Sequence, residues 1–129
     1  MNIVVCVKQV PDTAAEKKLT ASLTVDRKSV ENILNPFDEY AVEEALRIKE
    51  KIRASVTALC VGPESAKEAL RKAIAMGVEK AALVTDPAVA GSDAWSTAYV
   101  LAQALKKLQW DIALFGMQST DSLTATVPG

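Results

Sequence analysis

Four short apolar runs, continuous rather than alternating, set the main constraint on this chain: Ile3-Val4-Val5-Cys6-Val7, Val56-Thr57-Ala58-Leu59-Cys60-Val61, Ala81-Ala82-Leu83-Val84 and Ile112-Ala113-Leu114-Phe115. A strand with no polar alternate has no face to give to water, so such strands need cover on both sides. The cover lies between them as helix-period segments. The first places Phe37, Ala41, Ala45, Ile48 and Ile52 on one stripe, with Glu43 and Arg47 outside at the favourable spacing of four. The second, from about residue 64 to 76, offers Ala66, Ala69, Leu70, Ala73 and Ile74 to the interior and stops at Gly77. The third follows the cap pair Ser92-Asp93 and turns Ala94, Ala98, Leu101, Leu105 and Leu108 inward. Strand and helix alternate to the end, which predicts an α/β fold: a doubly wound parallel sheet with helices on both faces.

One segment departs from this rhythm. Residues 11 to 32 separate the first strand from its helix, and Leu19-Thr20-Ala21-Ser22-Leu23-Thr24-Val25 before Asp26-Arg27-Lys28 reads as a small surface hairpin. It is an insertion into a single domain spanning residues 1–129. The chain ends at Val127-Pro128-Gly129, where the next helix of such a fold is expected, so the fold reads as cut short.

Composition narrows the function. With 15 basic and 16 acidic residues the net charge is -1, which writes no broad attraction to nucleic acid or to an anionic membrane. No apolar run approaches a membrane span and no signal peptide pattern follows Met1, so the sequence reads as soluble and cytoplasmic, or of the mitochondrial matrix in a eukaryote. The chain has no histidine, which removes the commonest general base and metal ligand. Cys6 and Cys60 each sit inside an apolar run and read as core thiols. Trp95 and Trp110 flank the third helix and read as packing or partner contacts.

In open α/β sheets, ligands sit beyond the carboxyl ends of the strands, where strand order reverses. If the second and third strands add on one side of the first and the fourth on the other, the crevice lies between the first and fourth. Cys6 to Val10, Asn35-Pro36-Phe37-Asp38 and Gly116-Met117-Gln118-Ser119-Thr120-Asp121 then converge, with Val61-Gly62-Pro63 closing the neighbouring side. Asn35-Pro36-Phe37-Asp38 has two readings. As a helix start, Asn35 caps, Pro36 gives up no needed amide, and Asp38 lies near the positive end of the helix dipole. As a site, the same four residues form one wall of the crevice. Lys8 is likewise either a solvated charge at a strand exit or a crevice cation.

Four stretches carry a resemblance: "VCVKQVPDT" at 5 to 13, "NPFDEYAVEEALRIKE" at 35 to 50, "VGPESAKEALRKAIAMG" at 61 to 77 and "GMQSTDS" at 116 to 122. Together they resemble the amino-terminal half of the β subunit of electron transfer flavoprotein. The resemblance implies an adenine-nucleotide α-hydrolase-like, Rossmann-like fold. It also implies AMP, or a second FAD in electron-bifurcating members, held by this subunit, and an α-subunit partner that carries the redox-active FAD. The complete complex would pass electrons from flavin dehydrogenases to an acceptor, with no membrane insertion and no catalytic residue on this chain. By the same resemblance the cofactor-binding residues are Cys6, Lys8, Asn35, Pro36, Phe37, Asp38, Val61, Gly62, Gly116, Gln118, Asp121, Ser122, Thr124, Ala125 and Thr126. Cys6 serves there as a wall, and the turn at Val61 and Gly62 brings its backbone to the adenine.

The phosphate loop departs from the family. Relatives resemble Gly-Lys-Gln-Ala-Ile-Asp-Gly-Asp-Thr-Gly-Gln, whereas residues 116 to 126 lack the lysine, the second acidic residue and the late glutamine. Hydroxyls and amides from Ser122 to Thr126 remain to cradle a phosphate at a helix start. A stress-protein-like ATP- or AMP-binding module with no redox role is the rival class, but the expected Gly-x-x-Gly loop is absent from 116 to 129. An ATP-using enzyme of this superfold would carry a glycine-serine loop where this chain has Val10-Pro11-Asp12-Thr13. A fourth strand with no helix after it leaves apolar surface uncovered, so the isolated chain is expected to self-associate; light scattering showing a stable monomer would contradict this.

Overall fold

The computed structural model describes residues 1–11, 32–85, 94–120 and 127–128. Strands β1 (Asn2–Val7), β4 (Ser55–Val61), β5 (Lys80–Val84) and β6 (Ile112–Phe115) form one sheet in the order β5-β4-β1-β6. All three pairings are parallel. Helices α1 (Pro36–Ile52), α2 (Lys67–Met76) and α3 (Ala94–Lys107) alternate with them, and a single 3-10 turn at Glu64–Ala66 leads into α2. The short strands β2 (Gln9–Pro11) and β3 (Asn32–Leu34) pair antiparallel. They form the stem of the excursion that the sequence places between β1 and its helix. The hairpin expected within residues 12–31 lies outside the described residues.

The faces that the helices cover follow from this strand order and the hand of the crossovers. Two steps in one direction, β1 to β4 and β4 to β5, put α1 and α2 on the same face when both crossovers are right-handed. The return across the sheet to β6 then puts α3 on the other face. Alternate residues of the inner strands record the two faces. Ile3, Val5, Val7, Val56, Ala58 and Cys60 pack with α1 and α2, while Val4, Cys6 and Leu59 pack with Leu101, Ala104, Leu105 and Leu108 from the α3 side. Continuous apolar patterning is therefore answered by two covers. It is answered fully only at the centre: β1 is buried from Ile3 to Val7, whereas every residue of edge strand β6 is half-buried.

Helix faces differ from the sequence pattern at particular positions. The buried residues of α1 are Asp38, Ala41, Val42 and Ala45. The stripe is rotated towards Asp38 and Val42, and Ile52 is 49 % exposed because α1 ends there, with Arg53 in the left-handed region (φ 53°, ψ 53°). Arg47 pairs with Glu44 at 3.9 Å rather than with Glu43, and both side chains are exposed. An exposed pair at that distance contributes little. In α2, Ala69, Leu70 and Ala73 are buried, with Ala66 just before them, but Ile74 is 48 % exposed. Ile74 lies round the helix from Ala73, past the edge of a stripe that three small residues keep narrow. Gly77 ends α2 at φ 125°, with Leu46 3.4 Å from where a Cβ would stand. Trp95 is 84 % exposed and so is not a packing residue among the described ones. The cap pair Ser92-Asp93 lies outside the described residues.

Burial makes opposite predictions for two aliphatic truncations. Leu59 is 1 % exposed beneath α3, so Leu59→Ala is expected to cost about 2–5 kcal/mol in urea denaturation. Ile74→Ala should stay within about 0.5 kcal/mol of wild type, as an exposed substitution does.

Candidate functional site

The carboxyl ends of β1 and β6 lie side by side, with Cys6 opposite Phe115, and the chain leaves them as Lys8 and Gly116. This is the point where strand order reverses. Asn35 brings the start of α1 to the same place, because its backbone N–H donates to the Lys8 carbonyl at 2.8 Å. Pro36 then fixes the first turn, where no amide is required of it.

Two buried polar side chains fasten these segments together. Asp38 is 5 % exposed, and its Oδ2 accepts the Lys8 backbone N–H at 2.8 Å. Its carboxylate also accepts the backbone N–H of Gly116. Asn35 is 1 % exposed and reaches across the gap in both senses: Nδ2 donates to the Gln118 carbonyl at 2.8 Å, and the Thr120 N–H donates to Oδ1 at 3.2 Å. The fit at Gly116 is close. A Cβ there would stand 2.3 Å from Asp38 Oδ1 and 2.8 Å from the Phe37 carbonyl carbon, which no side chain tolerates.

Asn35 therefore does not cap α1 with its side chain, contrary to the sequence reading. Its carbonyl accepts the N–H groups of Asp38 (2.9 Å) and Glu39 (3.3 Å), while its amide is committed to the loop after β6. Lys8 is half-buried. Its carbonyl, its N–H and its side chain face three different partners, Nζ donating to Ser119 Oγ at 3.3 Å.

Electrostatics at Asp38 set burial against hydrogen bonding. Desolvation raises its carboxyl from 3.8 to about 6, against the lowering effects of Asn35, the Lys8 and Gly116 amides and the Lys8 charge. Burial likewise raises the Cys6 thiol to about 12, with the Asp38 charge adding to it. Cys6 packs with Val4 and Leu59 on the α3 face, a buried thiol without thiolate character. Cys60 is raised to about 11 by burial. It faces the opposite side of the sheet from Cys6, since Cys6 pairs with Leu59 and Val7 with Cys60.

Among the sequence-derived site residues, Lys8, Asn35, Asp38, Gly116 and Gln118 are joined by hydrogen bonds or direct contact, and Pro36 and Phe37 lie between them in sequence, half-buried. Val61 and Gly62 sit at the end of β4, the strand beside β1, with the Gly62 N–H donating to the Val84 carbonyl at 3.0 Å. Asp121, Ser122, Thr124, Ala125 and Thr126 lie outside the described residues. Sequence reasoning gave no role to Ser119, whose hydroxyl accepts from Lys8, or to Thr120, whose N–H donates to Asn35. Only their position after Gly116 pointed to them. Among the described residues no cluster of acidic or cysteine side chains is arranged to hold a metal ion, and no helix is long and apolar enough to cross a membrane.

A parallel sheet whose β1 and β6 corners close on a helix start at the point where strand order reverses is the arrangement of a doubly wound α/β domain. Residues 22–129 match the family model of the electron transfer flavoprotein domain, and the chain belongs to that family. It is 46 % identical over 127 residues to the electron transfer flavoprotein subunit β of Thermoanaerobacterium thermosaccharolyticum, covering 98 % of this chain and 49 % of that protein. The β subunit of Megasphaera elsdenii is 47 % identical over 135 aligned positions, covering 98 % of this chain and 50 % of that protein. Protein FixA of Azorhizobium caulinodans is 43 % identical over 135 positions, covering all of this chain and 48 % of FixA. The chain thus spans about half the length of the curated relatives it matches.

The raised carboxyl gives a signed pH prediction. Between pH 3.8 and about 6 the folded state holds a proton on Asp38 that the unfolded chain has released, so this group's contribution to stability is full below pH 3.8 and is lost as pH rises through 6. Comparing wild type with Asp38→Asn by urea denaturation at pH 4 and pH 7 removes the other carboxylates from the difference. The stability advantage of wild type over the variant should shrink by on the order of 2–3 kcal/mol across that window. A difference independent of pH would place the titration elsewhere.

Proposed function

We propose that this chain is the amino-terminal half of an electron transfer flavoprotein β subunit, and that the crevice between the β1 and β6 corners holds the adenosine monophosphate portion of a nucleotide. The nucleotide is AMP itself, or FAD if the complex is of the bifurcating kind. The relatives named as β subunits support an α-subunit partner that carries the redox-active flavin. Flavin dehydrogenases would be reached through the complete complex.

The observation that carries the reading is the double fastening of Asn35 and Asp38 across the switch point. It holds the crevice wall in one shape before any ligand arrives, and preorganisation lowers the ordering cost of binding. It also divides the labour. The polar atoms of Asn35 and Asp38 are committed within the protein, so contact with a ligand falls to the Phe37 ring, to Cys6 as apolar wall, to the backbone of Val61 and Gly62 for the base, and to Lys8 for a phosphate. Residues 121–126 supply the remaining hydroxyls and amides of the phosphate cradle.

These residues fit an adenine nucleotide in charge and polarity. Lys8 is a half-buried cation at the strand exit, and its Nζ already lies against a hydroxyl of the loop that would carry the phosphate. When bound, a nucleotide would supply phosphate charge for Lys8 and ring surface for Phe37. In the non-bifurcating, AMP-holding type the redox chemistry belongs to the α-subunit flavin, and no proton-transfer role is assigned to any side chain here.

Isothermal titration of the chain with AMP, FAD, ATP and adenosine tests the reading. Saturable binding of AMP or FAD without ATP hydrolysis is expected, and absence of binding by all four would overturn it. Lys8→Met should weaken AMP by about tenfold or more, as loss of a charge-assisted phosphate contact does, and leave adenosine within about twofold.

A further inference from the structure

The residue after Lys8 makes a second connection, in the opposite direction. Along the extended segment that leaves β1, consecutive side chains alternate, so Lys8 and Gln9 face different neighbours. Lys8 reaches Ser119, whereas Gln9 reaches the turn that follows β4. Gln9 Nε2 donates to the Ser65 carbonyl at 3.0 Å, and the Ser65 hydroxyl donates to Gln9 Oε1 at 3.4 Å. The Gln9 backbone amide also hydrogen-bonds the Cys60 sulfur at the end of β4. Both ends of one amide are thus spent on one residue 56 positions away. An exposed reciprocal pair of this kind adds little to global stability but fixes the relative position of the two backbones that carry it.

Ala66, at the end of that turn, is buried in the core, and two backbone hydrogen bonds hold the turn. The Gly62 N–H bonds the Val84 carbonyl at 3.0 Å, and the Ala66 N–H bonds the Pro63 carbonyl at 2.9 Å. Neither bond ties the turn to β1. Among the described residues, a side-chain tie between Val61-Gly62-Pro63 and the Lys8 side of the crevice passes through Gln9 and Ser65.

We infer that Gln9 and Ser65 form a positioning latch that sets the distance between the base-facing turn after β4 and the Lys8 wall, and so governs affinity for the base rather than for the phosphate. The inference rests on the nucleotide reading above and adds two residues to it. Gln9 acts through the turn and needs no contact with the ligand.

The test has one readout without nucleotide and one with it. In the ligand-free chain, Gln9→Ala should speed hydrogen exchange in peptides covering residues 61–67 by about threefold or more, with the thermal midpoint unchanged. With ligand, the same variant should raise the Kd for AMP by about three- to tenfold while leaving that for inorganic pyrophosphate unaltered. Gln9→Glu keeps an acceptor for the Ser65 hydroxyl but cannot donate to the Ser65 carbonyl, so it should resemble Gln9→Ala. Ser65→Ala removes only the longer bond and should have the smaller effect. Unchanged exchange, or faster exchange with unchanged AMP affinity, overturns the positioning role. Equal losses for AMP and pyrophosphate overturn its restriction to the base. If wild type binds no AMP yet Gln9→Ala still speeds exchange, the nucleotide reading has failed and the positioning role falls with it, while the physical link between the two segments stands.

Discussion

The carboxylate of Asp38 is the contact on which the rest of this corner depends. It sits at the start of α1, almost wholly buried, and accepts backbone amides from the ends of two different strands. Burying a charge is costly unless its lone pairs are satisfied, and here two amide donors and the positive end of a helix partly offset the cost. Desolvation still dominates, which is why the proton is held to about pH 6. The same contact explains the glycine at 116: the carboxylate occupies the space a Cβ would need.

Asn35 complements Asp38. Where Asp38 joins the two strand ends, Asn35 joins the helix start to the loop beyond β6, using both halves of its amide. An aspartate there could not donate to the Gln118 carbonyl, and a serine would not span both partners. The block Asn35-Pro36-Phe37-Asp38 is therefore at once a helix start and the frame of a crevice. Its polar atoms build the wall, which leaves the ligand-facing role proposed here to Lys8, to apolar surface and to backbone.

Identity of 46 % runs along almost the whole chain, although the loop at residues 116–126 lacks the lysine and second acidic residue of the family pattern that it resembles. The fastening side chains Asn35 and Asp38 lie outside that loop.

The sequence by itself determined the architecture. Continuous apolar runs have no side to offer water, so Ile3 to Val7 had to be a central strand, and helix periodicity between such runs left only a parallel sheet with two covers. The strand order was readable only as a condition, that the second and third strands add on one side of the first and the fourth on the other; the structure meets it with β5-β4-β1-β6, and residues 35 to 38 converge with 116 to 120. What the tertiary structure decided was where individual polar atoms go. Asn35 has a cap position and a cap side chain, yet its amide turns to Gln118 and Thr120; Ile52 and Ile74 fit the periodic stripes yet lie exposed; Gln9 and Ser65 carry no pattern yet meet across two turns. Periodicity reports which face of an element is covered, averaged over its length. Hydrogen-bond partners and the last turn of a helix depend on atoms from distant segments, and their distances exist only once the chain has closed on itself.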